Sequence, residues 1–320
     1  MRSYVGAQSS GFFEERDAAY RSLFRVGGVS VEMAGRFSED VALIPPLRPF
    51  RVEGDISDVN IRVEWVDGFV PECRHRLFDS GSTWRVCEDE AGFLFDFTSA
   101  TFGEQPYKRL LVDKHFRRAT LQMSEEYFSA CPGAASPLEY PLDELLIMHR
   151  LTQERAIELH GSGIVRANGV GNLFVGHSGA GKSTTTRLWT SREEVEVLSD
   201  DRIIVRPDQP RDGHSDLSAP GPMRMYGTPW HGEAMFASPN SAPLSRIFIL
   251  EHGQGNIITR LTPSQAVGEL FARAFVPFHR HEYVEAALSF LEQLADSVPC
   301  YRYSFEPDER AVEKIQHFND

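Results

Sequence analysis

Residues 176–183, which read GHSGAGKS, have the residue types and spacing of a loop that binds phosphate. Glycines in such a loop let backbone N–H groups converge on phosphate oxygens, and the dipole of a following helix adds to the attraction. In this pattern Lys182 reaches the β- and γ-phosphates, and the Ser183 hydroxyl binds Mg²⁺. The predicted nucleotide-binding residues are Gly176, His177, Ser178, Gly179, Ala180, Gly181, Lys182, Ser183 and Thr184.

The elements around this loop support a nucleotide site. Two β-like runs, AIELHGSGIVRA and VGNLFVG, precede the loop and are joined by Asn168-Gly169, a pair typical of a tight hairpin. The second run leads directly into the loop, and a helix is expected from Lys182 to about Trp189. This order of strand, loop and helix favours nucleotide binding over an ordinary glycine-rich turn.

Two adjacent acids, Asp200 and Asp201, interrupt an apolar run that predicts a single strand over residues 195–205. Aspartate is depleted in strands, so the pair needs a reason beyond capping a strand. A phosphate loop requires an acid near its metal. One acid can hold Mg²⁺, directly or through water, while the other accepts a proton from the attacking hydroxyl. We expect Ser183 and Asp200 to bind the metal, although the two acids could exchange roles.

Composition excludes several classes of function. The chain of 320 residues has a net charge of −13, which opposes the phosphate contacts that dominate nucleic-acid binding. No run approaches the roughly 20 apolar residues of a membrane span, and the first 20 residues lack the apolar region of a secretory signal. The four cysteines are scattered, which predicts reduced thiols rather than a disulfide framework. We therefore expect a cytoplasmic protein that binds neither nucleic acid nor membrane.

The chain divides into two parts that differ in their pattern of apolar and polar residues. Residues 50–123 alternate between apolar and polar side chains, which predicts a mostly antiparallel, half-buried sheet. The segment 132–141, PGAASPLEYP, is rich in proline, glycine and alanine and is the best internal boundary. We therefore predict a mainly β N-terminal domain over residues 1–131 and a nucleotide-binding domain over residues 142–320.

The hairpin LHGSGIVRANGVGNLFVG, the loop GHSGAGKS and the acids of LSDD together resemble the HPr kinase/phosphorylase family. The resemblance covers residues 143–205 and extends more weakly to residue 260. That family shares its P-loop type with phosphoenolpyruvate carboxykinases. The resemblance implies an α/β P-loop kinase-like C-terminal domain of the HPr kinase/carboxykinase type, after a smaller, mainly β N-terminal domain.

The resemblance also implies an activity. The family transfers phosphate from Mg·ATP to a serine hydroxyl of a protein, and divergent relatives phosphorylate a serine of ribosomally made peptides. It implies ATP and Mg²⁺ as cofactors and Asp200, Asp201, His160 and Lys182 as catalytic residues. Without the resemblance, His160 would be interpreted as a core histidine. Hexamers are known in the family, which would make this chain a homo-oligomer.

The segment YGTPWHGE at residues 226–233 departs from the family. It replaces an acidic signature that contains Arg-Gly and is tied to the protein acceptor and to dephosphorylation. The departure gives no support to HPr as the acceptor or to phosphorylase activity. Trp230 could stack on a base or an acceptor, His231 could contact phosphate, and Glu233 could act near the metal. The alternative is a loop that Trp230 packs onto the domain.

Two other functions are compatible with the motifs. The first is a phosphotransferase that acts on a small hydroxylated molecule. The second is a nucleotide-sensing regulator, which would need Lys182 and Ser183 but no base, so Asp200, Asp201 and His160 argue against it. A GTPase is disfavoured because the sequence has no N-K-x-D guanine signature.

Overall fold

The computed structural model describes residues 18–70, 73, 75–88, 90–100, 103–130, 136–192, 194–208 and 221–318. The first 17 residues, which carry most of the segment inspected for a secretory signal, lie outside these ranges. The described chain forms two large sheets, one on each side of the boundary segment predicted at residues 132–141.

The first sheet has eight strands. They are β1 (Tyr20–Val26), β2 (Val29–Gly35), β3 (Val59–Val66), β4 (His75–Asp79), β5 (Trp84–Glu88), β6 (Gly92–Ser99), β7 (Gly103–Asp113) and β8 (Arg118–Ser124). Their order is β1-β2-β3-β8-β7-β6-β5-β4. The pairs β2–β3 and β3–β8 are parallel, and the other pairs are antiparallel. The mostly antiparallel sheet predicted from the alternation is confirmed.

A disulfide joins Cys73, just before β4, to Cys87 in β5. The prediction of reduced thiols is therefore wrong for this pair. The antiparallel pairing of β4 with β5 brings together two residues that are 14 positions apart, and the wide sequence spacing did not reveal this. Cys300 is a buried free thiol.

The second sheet has nine strands. They are β9 (Ile157–Arg166), β10 (Gly171–Val175), β11 (Val195–Ser199), β12 (Arg202–Pro207), β13 (Met223–Tyr226), β14 (Ser241–His252), β15 (Ile257–Arg260), β16 (Ala274–Phe275) and β17 (Cys300–Phe305). The long strand β9 changes partners near its middle: its first half pairs with β12 and β16, and its second half pairs with β10 and β11. Because β10 also pairs with β14, the strands β9, β12, β13, β14 and β10 close into a ring.

Two local predictions for this sheet have different outcomes. The hairpin of β9 and β10 around Asn168-Gly169 is confirmed, with antiparallel pairing from Gly171 opposite Val165 to Val175 opposite Gly161. The single strand predicted over residues 195–205 is wrong. The chain leaves the sheet at Asp200 and Asp201 and returns as β12, so both acids occupy a break between two strands.

Among the described residues, six α-helices accompany the sheets: α1 (Glu125–Ala130), α2 (Leu142–Leu151), α3 (Lys182–Arg192), α4 (Pro263–Phe271), α5 (His281–Ser297) and α6 (Glu309–Gln316). Two 3₁₀ helices, Ser38–Val41 and Pro45–Phe50, lie between β2 and β3. α4 begins with a reciprocal capping box, in which the Thr262 hydroxyl accepts from the Gln265 N–H and the Gln265 side chain accepts from the Thr262 N–H. Helices α4 and α5 pack on one side of the second sheet, and α3 and α6 pack on the other.

Helix α2 lies at the seam between the two sheets. Its apolar residues Leu142, Leu145, Leu146, Ile147 and Leu151 belong to the buried core of the first sheet. Ile204 of β12 and Trp230 belong to the same core, although both come from the second part of the chain. Burial of this shared apolar surface ties the parts together. In the part of the chain that is described, no helix is both long and apolar enough to cross a membrane.

Candidate active site

The predicted phosphate loop, residues 176–183, leaves β10 at Gly176 and enters α3 at Lys182, so the predicted order of strand, loop and helix is confirmed. Gly179 and Gly181 have φ angles of 81° and 98°, which favour glycine. A Cβ atom on Gly181 would lie 2.5 Å from the Phe305 ring, and one on Gly176 would lie 2.7 Å from the Ala180 Cβ. Side chains at these positions would change the shape of the loop.

Lys182 lies inside the curve of this loop. Its Nζ donates to the carbonyl oxygens of Gly176 at 3.1 Å and His177 at 3.2 Å. Burial lowers the pKa of Lys182, and the nearby Asp201 carboxylate opposes that shift. On the outer side, His177, Ser178 and Gly179 are exposed, and the His252 Nε2 lies 2.7 Å from the Gly179 carbonyl oxygen. The loop thus has a cation within and open backbone at its rim, which suits a polyphosphate.

Ser183 and Thr184 lie in the first turn of α3 and are partly exposed. The helix is fixed to β9 by a hydrogen bond of 2.8 Å between the hydroxyls of Ser162 and Thr186. This holds the Ser183 hydroxyl next to the loop, where it could help to hold a metal ion that accompanies the phosphates. Within the described ranges, no three His, Cys, Asp or Glu side chains form a metal cluster of their own.

The middle of β9 brings the site together. The His160 carbonyl accepts from the Gly176 N–H at 3.2 Å, and the Gly161 N–H donates to the Asp201 carbonyl at 3.0 Å. The His160 N–H donates to the Arg273 carbonyl at 2.8 Å. Three segments that are distant in the sequence therefore meet where β9 changes partners. The backbone alone places the start of the phosphate loop beside Asp201.

Asp201 and His160 form a dyad. The His160 Nε2 lies 2.9 Å from the Asp201 Oδ1, and the Arg202 guanidinium binds the Asp201 Oδ2. Burial would raise the pKa of Asp201, but the His160 hydrogen bond and the charges of Arg202 and Lys182 lower it below its ordinary value. About a quarter of the Asp201 side chain is exposed. This carboxylate is therefore ionised and accessible, as a proton acceptor must be.

Asp200 has different surroundings from Asp201. It is fully buried, and its two oxygens accept three backbone N–H bonds, from Gly232 at 3.0 Å, Ala234 at 2.8 Å and Phe236 at 3.2 Å. We call residues 232–236 the clamped loop. Its three amides occupy most of the hydrogen-bonding capacity of this carboxylate. The arrangement shows Asp200 anchoring the loop against the site.

The three residues singled out in YGTPWHGE have different surroundings. Trp230 is buried, and its Nε1 donates to the Asp143 Oδ2 of α2 at 3.0 Å, which is the packing alternative. The His231 Nδ1 lies 3.1 Å from the Gly232 carbonyl, and Glu233 is exposed. Burial raises the pKa of Asp143 to about 6, although the bond from Trp230 opposes this rise.

A cluster of charged side chains next to the dyad was not predicted from the sequence. The Arg202 Nε donates to the Glu144 Oε1 of α2 at 2.7 Å, and its guanidinium lies 4.0 Å from the centre of the Phe275 ring. Glu158 is buried beside them, and burial together with the charge of Glu144 raises its pKa. Arg202 follows the acids, and Glu158 lies on the same strand face as His160, so both had a signal in the sequence. Glu144, on a separate helix, had none.

We compared the chain with known proteins. No protein-family model matches it, and a search of curated proteins returned no match.

Proposed function

We propose that this protein is a Mg·ATP-dependent kinase that transfers the γ-phosphate to a serine hydroxyl of a peptide or protein. The observation that carries the proposal is the His160–Asp201 dyad, in which the His160 carbonyl accepts from the N–H of Gly176 at the start of the phosphate loop. A regulator that only senses nucleotide has no use for an ionised, accessible carboxylate beside its phosphate site. The resemblance of the same segment to serine kinases supports the same activity.

The roles follow from the surroundings of each group. Lys182 and the loop amides would bind the β- and γ-phosphates, and the Ser183 hydroxyl would hold Mg²⁺, which would neutralise charge that develops on the phosphates. Asp201 accepts the proton of the serine hydroxyl while His160 fixes its orientation. The serine oxygen forms a bond to the γ-phosphorus, the bond to the β–γ bridging oxygen breaks, and ADP leaves. Asp200, which the sequence suggested as a metal ligand, is proposed to hold the clamped loop instead.

We further propose that the enzyme acts in the cytoplasm, where ATP is supplied, with neither nucleic acid nor membrane as a partner. The Cys73–Cys87 disulfide lies in the first sheet and does not involve any residue assigned to the site.

A label-transfer assay tests this function. The purified protein, Mg²⁺ and γ-labelled ATP are mixed with a lysate of the source cell, alongside Lys182→Ala and Asp201→Asn. We expect label in a peptide or protein band and a loss of at least about 100-fold in both variants, as found when a charge-stabilising group or a base is removed. Label confined to a small-molecule fraction would replace this proposal with small-molecule phosphotransfer. Binding of ATP with no transfer at all would replace it with a nucleotide-sensing regulator.

A further inference from the structure

The clamped loop holds one residue in an unusual conformation. Met235 has a φ angle of 59°, which is the left-handed region that non-glycine residues seldom adopt. Asp200 binds the amides on both sides of it, those of Ala234 and Phe236, and the Met235 N–H donates to the Gly232 carbonyl at 3.2 Å. The strain is therefore imposed by contacts of the surrounding loop.

Met235 gains little packing in exchange for this strain, because 69% of the residue is exposed. Single exposed apolar residues are ordinary on protein surfaces. An exposed residue whose backbone is also strained, in a loop fixed by a buried carboxylate, is less common. Such backbone strain is concentrated at binding and active sites. The conformation of the loop thus presents a methionine to solvent at a fixed position.

The clamped loop that carries Met235 lies beside the dyad. A Cβ atom on Gly232 would lie 3.0 Å from the Asp200 Oδ2 and 3.2 Å from the Asp201 Cβ, so the clamped loop touches both acids. The bond between Trp230 and Asp143 draws the same segment against the start of α2.

We propose that the exposed Met235 side chain forms an acceptor rim, a surface that contacts an apolar side chain next to the serine that is phosphorylated. This inference rests on the proposed kinase function and adds the class of acceptor sequence. The unbranched thioether of methionine adapts to apolar side chains of different shape. Glu233, exposed in the same loop, disfavours an acidic residue there.

Replacement of Met235 by glycine tests the acceptor rim without adding backbone strain. Met235→Gly removes the side chain and lets the backbone adopt its φ of 59° without strain. The substrate is the labelled peptide or protein isolated in the transfer assay, and Mg·ATP binding is measured by calorimetry. We expect the KM for this acceptor to rise about 10-fold, a change typical of one lost apolar contact. The kcat, the affinity for Mg·ATP and the melting temperature should not fall. Met235→Asn, which also tolerates this backbone, should raise the KM equally.

Ile257→Ala is the matched control, since Ile257 is an exposed apolar residue of β15 with no place in the proposed site. Its KM should equal that of the unmutated protein. If the unmutated protein transfers label and Met235→Gly keeps its KM, the acceptor rim is wrong and the kinase stands. A fall in kcat with unchanged KM would also overturn the rim. Absence of transfer by the unmutated protein would instead overturn the kinase function itself.

Discussion

Asp200 and Asp201 are adjacent in the chain, but their carboxylates do different work. Asp200 is buried and accepts three backbone N–H bonds of the clamped loop. Asp201 is partly exposed and is bonded to His160 and Arg202. A buried acceptor that loses its bonds costs more than a partly exposed one, since water can replace the partner only at the surface. The two acids should therefore respond differently to the same substitution.

We predict that Asp200→Asn lowers the free energy of unfolding by about 1–3 kcal/mol, because an amide NH₂ would then face a backbone N–H in the interior. Asp201→Asn should change this free energy by less than about 1 kcal/mol while transfer falls at least about 100-fold. Urea unfolding and label transfer measure the two effects. Equal losses of stability in both variants would contradict the assignment.

At the scale of elements, α2 connects the first sheet to the candidate active site. Two consecutive residues of this helix, Asp143 and Glu144, bind Trp230 and Arg202 respectively. Trp230 leads into the clamped loop, and Arg202 binds the dyad. A helix that is buried against one sheet thus fixes side chains that belong to the other. The position of α2 should influence transfer without touching the nucleotide.

The contact of Glu144 with Arg202 can be tested by a double-mutant cycle. We expect Glu144→Gln and Arg202→Gln each to lower kcat by roughly 10-fold, and the double variant to be no worse than the poorer single variant. The affinity for Mg·ATP should remain unchanged. Arg310→Gln, which removes an exposed arginine of α6, serves as the control. Losses that multiply in the double variant would show that the two residues act independently.

At the scale of the whole molecule, two histidines lie in the seam between the sheets. His149 of α2 is fully buried among Phe95, Phe116 and Tyr283, and its ring centre lies 5.1 Å from that of His279. Burial, and then the charge of His279, lower the pKa of His149 to about 3. Burial, and then Arg280, lower the pKa of His279 to about 4. Both side chains are neutral in the folded protein at neutral pH.

These shifts predict acid sensitivity. In the unfolded chain a histidine takes up a proton near pH 6.5, whereas folded His149 does so only near pH 3. The stability it contributes is complete above pH 6.5 and is lost as the pH falls towards 3, by up to about 1.4 kcal/mol per pH unit. We expect His149→Phe to reduce this slope between pH 6.5 and 4, as measured by urea unfolding. His281→Gln, at an exposed site, should leave it unchanged. Identical slopes for His149→Phe and the unmutated protein would refute the prediction.

Local signals predicted the first hairpin of the second sheet and part of the site. The Asn168-Gly169 hairpin and the strand before Gly176 each depend on residues close together in sequence, and both are present. The Cys73–Cys87 bond and the contact between Glu144 and Arg202 join distant segments. Their formation depends on how strands and helices pack, which the spacing of residues in one sequence does not encode.

The acids at 200 and 201 show this limit within a single motif. Their chemical type indicated a site, and the break between β11 and β12 explains why both leave the sheet. Which acid faces the interior depends on the clamped loop, more than thirty residues downstream. The sequence pattern identified the pair of acids, and tertiary contacts gave each acid its own surroundings.

The contact between Gly181 and Phe305 also has a consequence for synthesis on the ribosome. The phosphate loop leaves the ribosome long before β17, and the ring of Phe305, the last residue of β17, packs directly against the loop. The loop can therefore make this contact only after nearly the whole chain has emerged. If the loop binds ATP as we propose, nascent fragments that end before Phe305 should retain less ATP than the full chain.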